Sequence, residues 1–370
     1  MGRSKASRDL CALESRHGTT INYNMKIVAP ISRAYEAECL IRAGADELYC
    51  GVYTEKWRKT YTDLAAPSRH PGRSASLGSF KELSRVVNTA HSRGIGVSFT
   101  MNESYSGRQY EFALDDVNRA IDAGVDALIV SDINLMLMVR EKGHKTRICS
   151  GTGANTFNSR TVDFYKELGV SRVILDRQLA IEEIGTIASK TSGVELEVFI
   201  LNQKCHNIDG LCTFAHGFTG MKYPLLSFLW NTGLLKRVLN MCAADVSWMG
   251  KAIFKRELGC CLDYKISGNG DSLVPGKRTI SSPLFDIDRF LKTCGACALY
   301  DLERLNIGFV KIVGREDFTS KKVRDIKFIR GAIERLKDGL AESAFKDAIK
   351  AMYKDTNHFD CGSRFCYYSN

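Results

Sequence analysis

The stretch Ser79–Asn102, "SFKELSRVVNTAHSRGIGVSFTMN", holds one complete helix-to-strand unit. Ser79 with Glu82 three residues on forms a capping box. Apolar residues then recur at Phe80, Leu83, Val86, Val87 and Ala90, the three-four spacing of one helix face. Gly94 supplies the stop, and "IGVSFTMN" reads as the strand that follows.

The same unit repeats outward in both directions, from Met25 to about Leu201. Before it come the strand "KIVAPI", the helix "SRAYEAECLIRAGA" and the strand "DELYCGV". After it come "GRQYEFALDDVNRAIDAG", "DALIVSD", "INLMLMVREKG", "TRICSGTGAN", "SRTVDFYKELG", "SRVILD", "AIEEIGTIASKTSG" and "LEVFI". Strands that alternate with helices argue for a parallel sheet. About seven such units, with an eighth near "DLERLNIGFVKIVG", predict a closed (β/α)8 barrel of the TIM type and not an open doubly wound sheet. No GxGxxG follows the first strand, which further disfavours a dinucleotide-binding fold.

Three parts follow from this rhythm. Residues 1–24 are a basic, polar N-terminal extension, and residues 25–315 are the barrel. Residues 202–285, rich in aromatics and glycine, are an insertion after the seventh strand, placed at the C-terminal face where active sites of such barrels collect. Residues 316–370 are a C-terminal tail of one or two helices ending in "NHFDCGSRFCYYSN".

With 44% hydrophobic and 25% charged residues, the 370-residue chain has the composition of a globular protein. It has no apolar run of the ~18 residues that a membrane span needs, and no apolar core to its N-terminus that would make a secretory signal. A cytoplasmic location is therefore expected. The net charge of +10 favours a polyanionic partner, RNA above all, or acidic small molecules.

Thirteen cysteines in such a chain favour metal or redox chemistry over disulfides. Cys39, Cys50 and Cys149 stand in core-like contexts and read as small buried hydrophobes. Cys205, Cys212, Cys242, Cys260, Cys261, Cys294 and Cys297 lie in or beside the insertion. Their spacing favours a metal site, with zinc and iron both open. His206 and His216 permit a zinc reading with Cys205 and Cys212. Cys361 and Cys366 in the tail could be a redox pair.

Over about 290 residues, Met25 to Arg315, the chain resembles peptidase family U32, the collagenase-like peptidases. "GADELYCG" (Gly44–Gly51) is similar to the family's GADxVYxG, "VSDINLM" (Val130–Met136) to its VxDxGLL, and "GANTFN" (Gly153–Asn158) to its TQxNxTN. "YKELGVSRVILDRQLAIEEI" (Tyr165–Ile184) resembles YxELGVxRVVLxRELSLxEI. "ELEVFI" with Cys205 and Cys212 resembles ExEVFVHGxxCxxxxxxC, and "CALYDLERLNIGFVKIVGR" (Cys297–Arg315) resembles CxxxxLxxLxxxGVxxLKIEGR. Two positions depart from the pattern: Leu201–Asn202 replaces His–Gly, and Val313 replaces the Glu of KIEGR.

The resemblance implies a four-iron, four-sulfur cluster on Cys205, Cys212, Cys260 and Cys297, with Cys261 the alternative to Cys260. It implies oxygen-independent hydroxylation of an RNA base or a small aromatic substrate, with prephenate as oxygen donor. A peptidase is the runner-up, and a non-catalytic iron–sulfur subunit paired with a homologous chain is a third reading. Neither GxSxG nor HExxH occurs in support of hydrolysis. Arg315 at the end of the last strand and Arg73 in the glycine-rich loop after strand two are candidates to hold anionic groups. Asp132, Asn155, Asp176 and Arg177 end strands and should face the mouth, or else cap the next helix. Glu47, inside strand two, is either a buried acid at the mouth or an ion-pair partner.

Overall fold

A computed structural model describes residues 25–61, 67–69, 74–205, 207–212, 219–221, 254–257, 292–358, 360–362 and 365–368. Arg73, His206, His216, Cys242, Cys260, Cys261, the extension 1–24 and most of the insertion lie outside the described residues.

Short strands buried along nearly their whole length need cover on both faces, and parallel pairing with crossover helices gives it. The strands are β1 (Lys26–Pro30), β2 (Glu47–Cys50), β3 (Gly96–Met101), β4 (Ala127–Val130), β5 (Arg147–Ser150), β6 (Arg172–Ile174) and β7 (Glu195–Leu201). β8 (Thr219–Met221) and β9 (Phe254–Glu257) form a separate antiparallel pair inside the insertion, and β10 (Phe309–Ile312) completes the set. β1 to β7 follow in order, and β10 pairs in parallel with both β7 and β1, so the eight strands close the expected barrel.

Helices α1 (Ala37–Arg42), α2 (Glu55–Tyr61), α3 (Phe80–His91), α4 (Tyr110–Asp122), α5 (Ile133–Glu141), α6 (Ser159–Glu167), α7 (Ile181–Lys190) and α8 (Leu299–Arg304) lie between strands. The tail forms two more, α9 (Thr319–Leu336) and α10 (Glu342–Asn357). Ser79 caps α3, its Oγ accepting the Glu82 N–H at 3.2 Å, but the return arm of the box is not made. The Glu82 carboxylate accepts instead from the Gly78 N–H at 2.9 Å and the Ala34 N–H at 3.0 Å. Gly94 ends the turn after α3 at φ +70°.

Apolar side chains form two layers. The larger lies between strands and helices, where Phe80, Leu83, Val86, Val87 and Ala90 of α3 all sit. The smaller fills the barrel interior with Val28, Tyr49, Ile129, Phe199, Phe309 and Val313. Cys50 and Cys149 pack as apolar residues in these layers, and burial pushes each thiol up to about 12.

The interior also has a charged floor, near the strand starts. Arg172 opens β6 and Glu47 opens β2; Glu197 and Lys311 are third in β7 and β10. Arg172 Nη1 donates to Glu47 at 3.0 Å and to Glu197 at 3.2 Å, and its Nε to Glu195 at 3.2 Å. Lys311 Nζ meets Glu197 at 2.7 Å, and Ser98 Oγ donates to Glu47 at 2.6 Å. Glu47 is thus the ion-pair partner and not an acid at the mouth. A residue at the start of a barrel strand belongs to the end opposite the βα loops, where stability is served.

Candidate active site

At the opposite end, loops leaving the strand termini enclose a cavity of about 60 Å³ lined by Tyr49, Thr100, Arg177, Phe199, Gln203 and Arg315, among others. Arg315 is 5% exposed. Its Nη1 donates to Thr100 Oγ1 at 3.1 Å and its Nη2 to Ser68 Oγ at 3.2 Å. Both partners are neutral hydroxyls, and among the described residues no carboxylate lies in ion-pair contact with the guanidinium. Burial therefore pulls its pKa below the ordinary arginine value. Gly51 makes room for it: a Cβ there would stand 2.8 Å from Thr100 Oγ1 and 3.0 Å from Arg315 Nη1.

The loop carrying Cys205 and Cys212 is held from three strand ends. Arg177 Nη1 donates to the Gln203 carbonyl, and its Nη2 pairs with Asp209 at 2.7 Å. The Arg177 guanidinium lies 4.4 Å from the centre of the Phe199 ring. Burial alone would lower its pKa, but Asp209, Tyr367, Cys205 and Asp176 together outweigh this and raise it. Gln178 Nε2 donates to the carbonyls of Cys205 at 3.0 Å and Asn207 at 2.8 Å. Asn155, left-handed at φ +52°, accepts the Gly210 N–H at 3.1 Å. Gly210 is obligatory at this approach, since a Cβ would stand 2.3 Å from the Gly153 carbonyl oxygen. Arg69 also reaches into the loop, from its Nη1 to the Asp209 carbonyl and from its Nη2 to that of Cys212 at 3.2 Å.

Several buried polar atoms here have no partner among the described residues: Asp176 Oδ2, Arg177 Nε, Gln178 Oε1 and the Tyr367 hydroxyl. Such atoms are rare in folded proteins and concentrate where a ligand or water completes the bonding. Burial first, and then Asp209 nearby, pushes Asp176 up to about 6.

The sequence candidates therefore divide. Arg315, Arg177, Asn155 and Asp176 meet at or around the mouth. Asp132 accepts the Leu135 N–H at 2.8 Å, and so caps α5; it also accepts from the Tyr105 N–H at 3.1 Å. Tyr367 was missed. The tail returns to the barrel, and Tyr367, fully buried, joins the interior layer beside Tyr49 and Phe199. Lys204 Nζ donates to its carbonyl, and the Tyr368 hydroxyl to that of Phe199. The aromatic pair in "FCYYSN" was the only available signal.

For the cluster that the resemblance implies, Cys205 and Cys212 fit. Both ride the clamped loop at the mouth, and Cys205 Sγ accepts the Asn207 N–H at 3.4 Å. Cys297 does not join them. Its thiol is directed to the Lys346 carbonyl of α10 at 3.8 Å, in the layer outside the barrel. Among the described residues no three Cys, His, Asp or Glu side chains converge as metal ligands.

The two departures from the family pattern touch. Asn202 takes the left-handed conformation at φ +68° in place of glycine, and its Nδ2 donates to the Val313 carbonyl at 3.3 Å and to Asp325 at 2.8 Å. Asparagine is among the few side chains that tolerate this region.

Residues 32–224 match the family model for peptidase family U32. A "tRNA hydroxylation protein P" of Haemophilus influenzae is 33% identical over 138 residues, 37% of this chain and 30% of that protein. An uncharacterized protease of Methanocaldococcus jannaschii is 30% identical over 199 residues, 51% of this chain and 44% of that one. The 23S rRNA 5-hydroxycytidine C2501 synthase of Escherichia coli is 24% identical over 202 residues, 55% of this chain and 28% of the synthase. The matched regions thus cover less than half the length of each of these relatives.

Proposed function

The chain belongs to peptidase family U32; within it, we propose that the protein hydroxylates a base in RNA. The observation that carries this reading is Arg315, a buried guanidinium at the barrel mouth bonded only to hydroxyls among the described residues. An arginine left in this state is poised for an anion, and its forked donors suit a carboxylate or phosphate. Hydroxylation without dioxygen needs an oxygen donor, and a dicarboxylate such as prephenate presents the charge that Arg315 lacks. The names of the two RNA-directed relatives and the net charge of +10 support RNA as the acceptor.

A four-iron, four-sulfur cluster held in part by Cys205 and Cys212, when bound, would activate the oxygen donor or the substrate. The protein's own contribution is placement. Arg315 binds the anion, Arg177 and Gln178 fix the cysteine loop, and Tyr49 and Phe199 wall the cavity against water, with Tyr367 in the same interior layer. The peptidase reading rests on the printed name of the archaeal relative. The cavity lining offers it no serine, cysteine or histidine among the described residues.

The test is mass spectrometry of nucleosides from total RNA, in a strain lacking the gene and in the same strain carrying the wild-type chain or Arg315→Lys. A hydroxylated nucleoside that vanishes on deletion, returns with wild type and returns weakly with the lysine variant is expected. RNA unchanged by deletion sinks the reading.

A further inference from the structure

Cys297, which does not join Cys205 and Cys212, has other company. Cys294 and Cys297 form a C-x2-C pair, and Cys361 and Cys366 a C-x4-C pair. Both spacings are those with which short loops deliver two zinc ligands each. The fold brings the two pairs together. The Cys294 N–H donates to the Phe365 carbonyl at 2.7 Å, and the Cys294 carbonyl accepts the Tyr367 N–H at 2.8 Å. This parallel bridge sets Cys294 directly beside Cys366. Paired residues in a ladder project to the same face, so both thiols leave on one side. Cys297 follows one tight turn later, within the short 3-10 helix Ala296–Ala298. Each of the four thiols lies within electrostatic range of the other three.

The Ala296 N–H reaches Cys294 Sγ at 3.5 Å and helps to orient the sulfur. Lys346 and Lys350, one turn apart on α10, are the positive charges nearest in effect to Cys297. As described, no three of these sulfurs converge on one point. Each cysteine has a single side-chain torsion, and stepping it between staggered wells swings the sulfur without moving the backbone.

We propose that Cys294, Cys297, Cys361 and Cys366 bind a structural zinc ion, at a centre distinct from the Cys205–Cys212 loop, that fastens the C-terminal tail to the barrel. Four sulfur ligands with no open position are the donor set of closed, tetrahedral zinc sites. The consequence reaches the mouth through one peptide bond. Tyr367 follows Cys366 and is fully buried in the interior layer that contains the cavity-lining Tyr49 and Phe199, so the ion would hold that layer in place.

The test counts zinc per chain by plasma mass spectrometry in three full-length proteins purified from zinc-supplemented cells. Wild type and Cys205→Ser/Cys212→Ser should each hold one zinc, and Cys361→Ser/Cys366→Ser should lose it. If that last variant does not fold, the wild-type chain decides alone. Chelator treatment followed by alkylation and peptide mapping should newly label Cys294, Cys297, Cys361 and Cys366 together. Wild type without zinc, iron in place of zinc, equal zinc loss in both double variants, or a Cys294–Cys366 disulfide in the mapped peptides would each overturn the proposal.

Discussion

Two buried arginines, Arg172 at the barrel floor and Arg315 at its mouth, are held in opposite ways. At the floor, Arg172 meets Glu47, Glu195 and Glu197, and Lys311 meets Glu197 in turn. At the mouth, Arg315 has two hydroxyls, and Asp176 keeps one oxygen unbonded among the described residues. Arg172, Glu47 and Glu197 at the floor are buried as deeply as Arg315 and Asp176 at the mouth. What separates structure from site is whether each charge has its complement. A closed network stabilises the barrel, whereas an open one keeps part of its bonding capacity for something that arrives later.

The floor is where this contrast should break hardest. Arg172→Met leaves Glu47 and Glu197 buried without their shared cation and also removes the guanidinium stacked 3.4 Å from the centre of the Phe309 ring. Removing one partner of a buried charge network costs about 3–5 kcal/mol. Urea denaturation should show a loss of that size, and a change under ~1 kcal/mol would mean that the floor is open to water and the contrast false.

The pH dependence of the two ends should carry opposite signs. Burial alone would raise Glu197, but Lys311 and Arg172 overcome it and hold the carboxyl below its ordinary value. A depressed folded pKa gives stability that is present above the unfolded value and lost as pH falls through the folded one. Glu197→Gln should therefore destabilise strongly at pH 7, and the deficit against wild type should narrow under acid. Asp176 stands at about 6 when folded, above its ordinary 3.8. A carboxyl raised by folding favours the folded state while protonated, and that advantage fades as pH climbs from about 4 to about 6. Asp176→Asn should consequently stabilise the protein by ~1–2 kcal/mol at pH 7.5 and leave it nearly unchanged at pH 4. Thermal melts at the two pH values check both variants, and a matching sign would erase the distinction between floor and mouth.

The barrel could be read from the chain because its information is local. Phe80, Leu83, Val86, Val87 and Ala90 announce a helix, and all five are buried against the strands as their spacing requires. The loop of Cys205 and Cys212 was legible for the same reason, since it leaves the end of a recognisable strand. Glu47 and Asp132 show where such reading stops. An acid in a strand or at its end looks alike whether it waits for a substrate, meets Arg172 or caps α5, and only the partner decides. Tyr367 and the Cys294–Cys366 bridge lay further out of reach. They depend on a return of the tail across α9 and α10, and no periodicity records a contact of that kind. The departures Asn202 and Val313 are two separate oddities in sequence and one hydrogen bond in space.

The smallest expected change in stability belongs to the residue on which the functional reading rests most. Arg315→Met keeps most of the side-chain volume and removes a buried charge that has no carboxylate among the described residues. Replacing a buried ion by an apolar side chain of similar size is often neutral or stabilising. Thr100 Oγ1 also donates to the Cys50 carbonyl at 2.9 Å, so it is not left without a bond. The melting free energy should therefore stay within ~1 kcal/mol of wild type, in contrast to Arg172→Met. Ligand response should separate the two proteins instead. A dicarboxylate such as prephenate, added in excess, should raise the melting temperature of wild type by mass action and leave Arg315→Met unmoved. A variant that is strongly destabilised without ligand would place Arg315 with the floor, as a structural charge. A variant that is stable and still responds to the dicarboxylate would move the anion site away from Arg315.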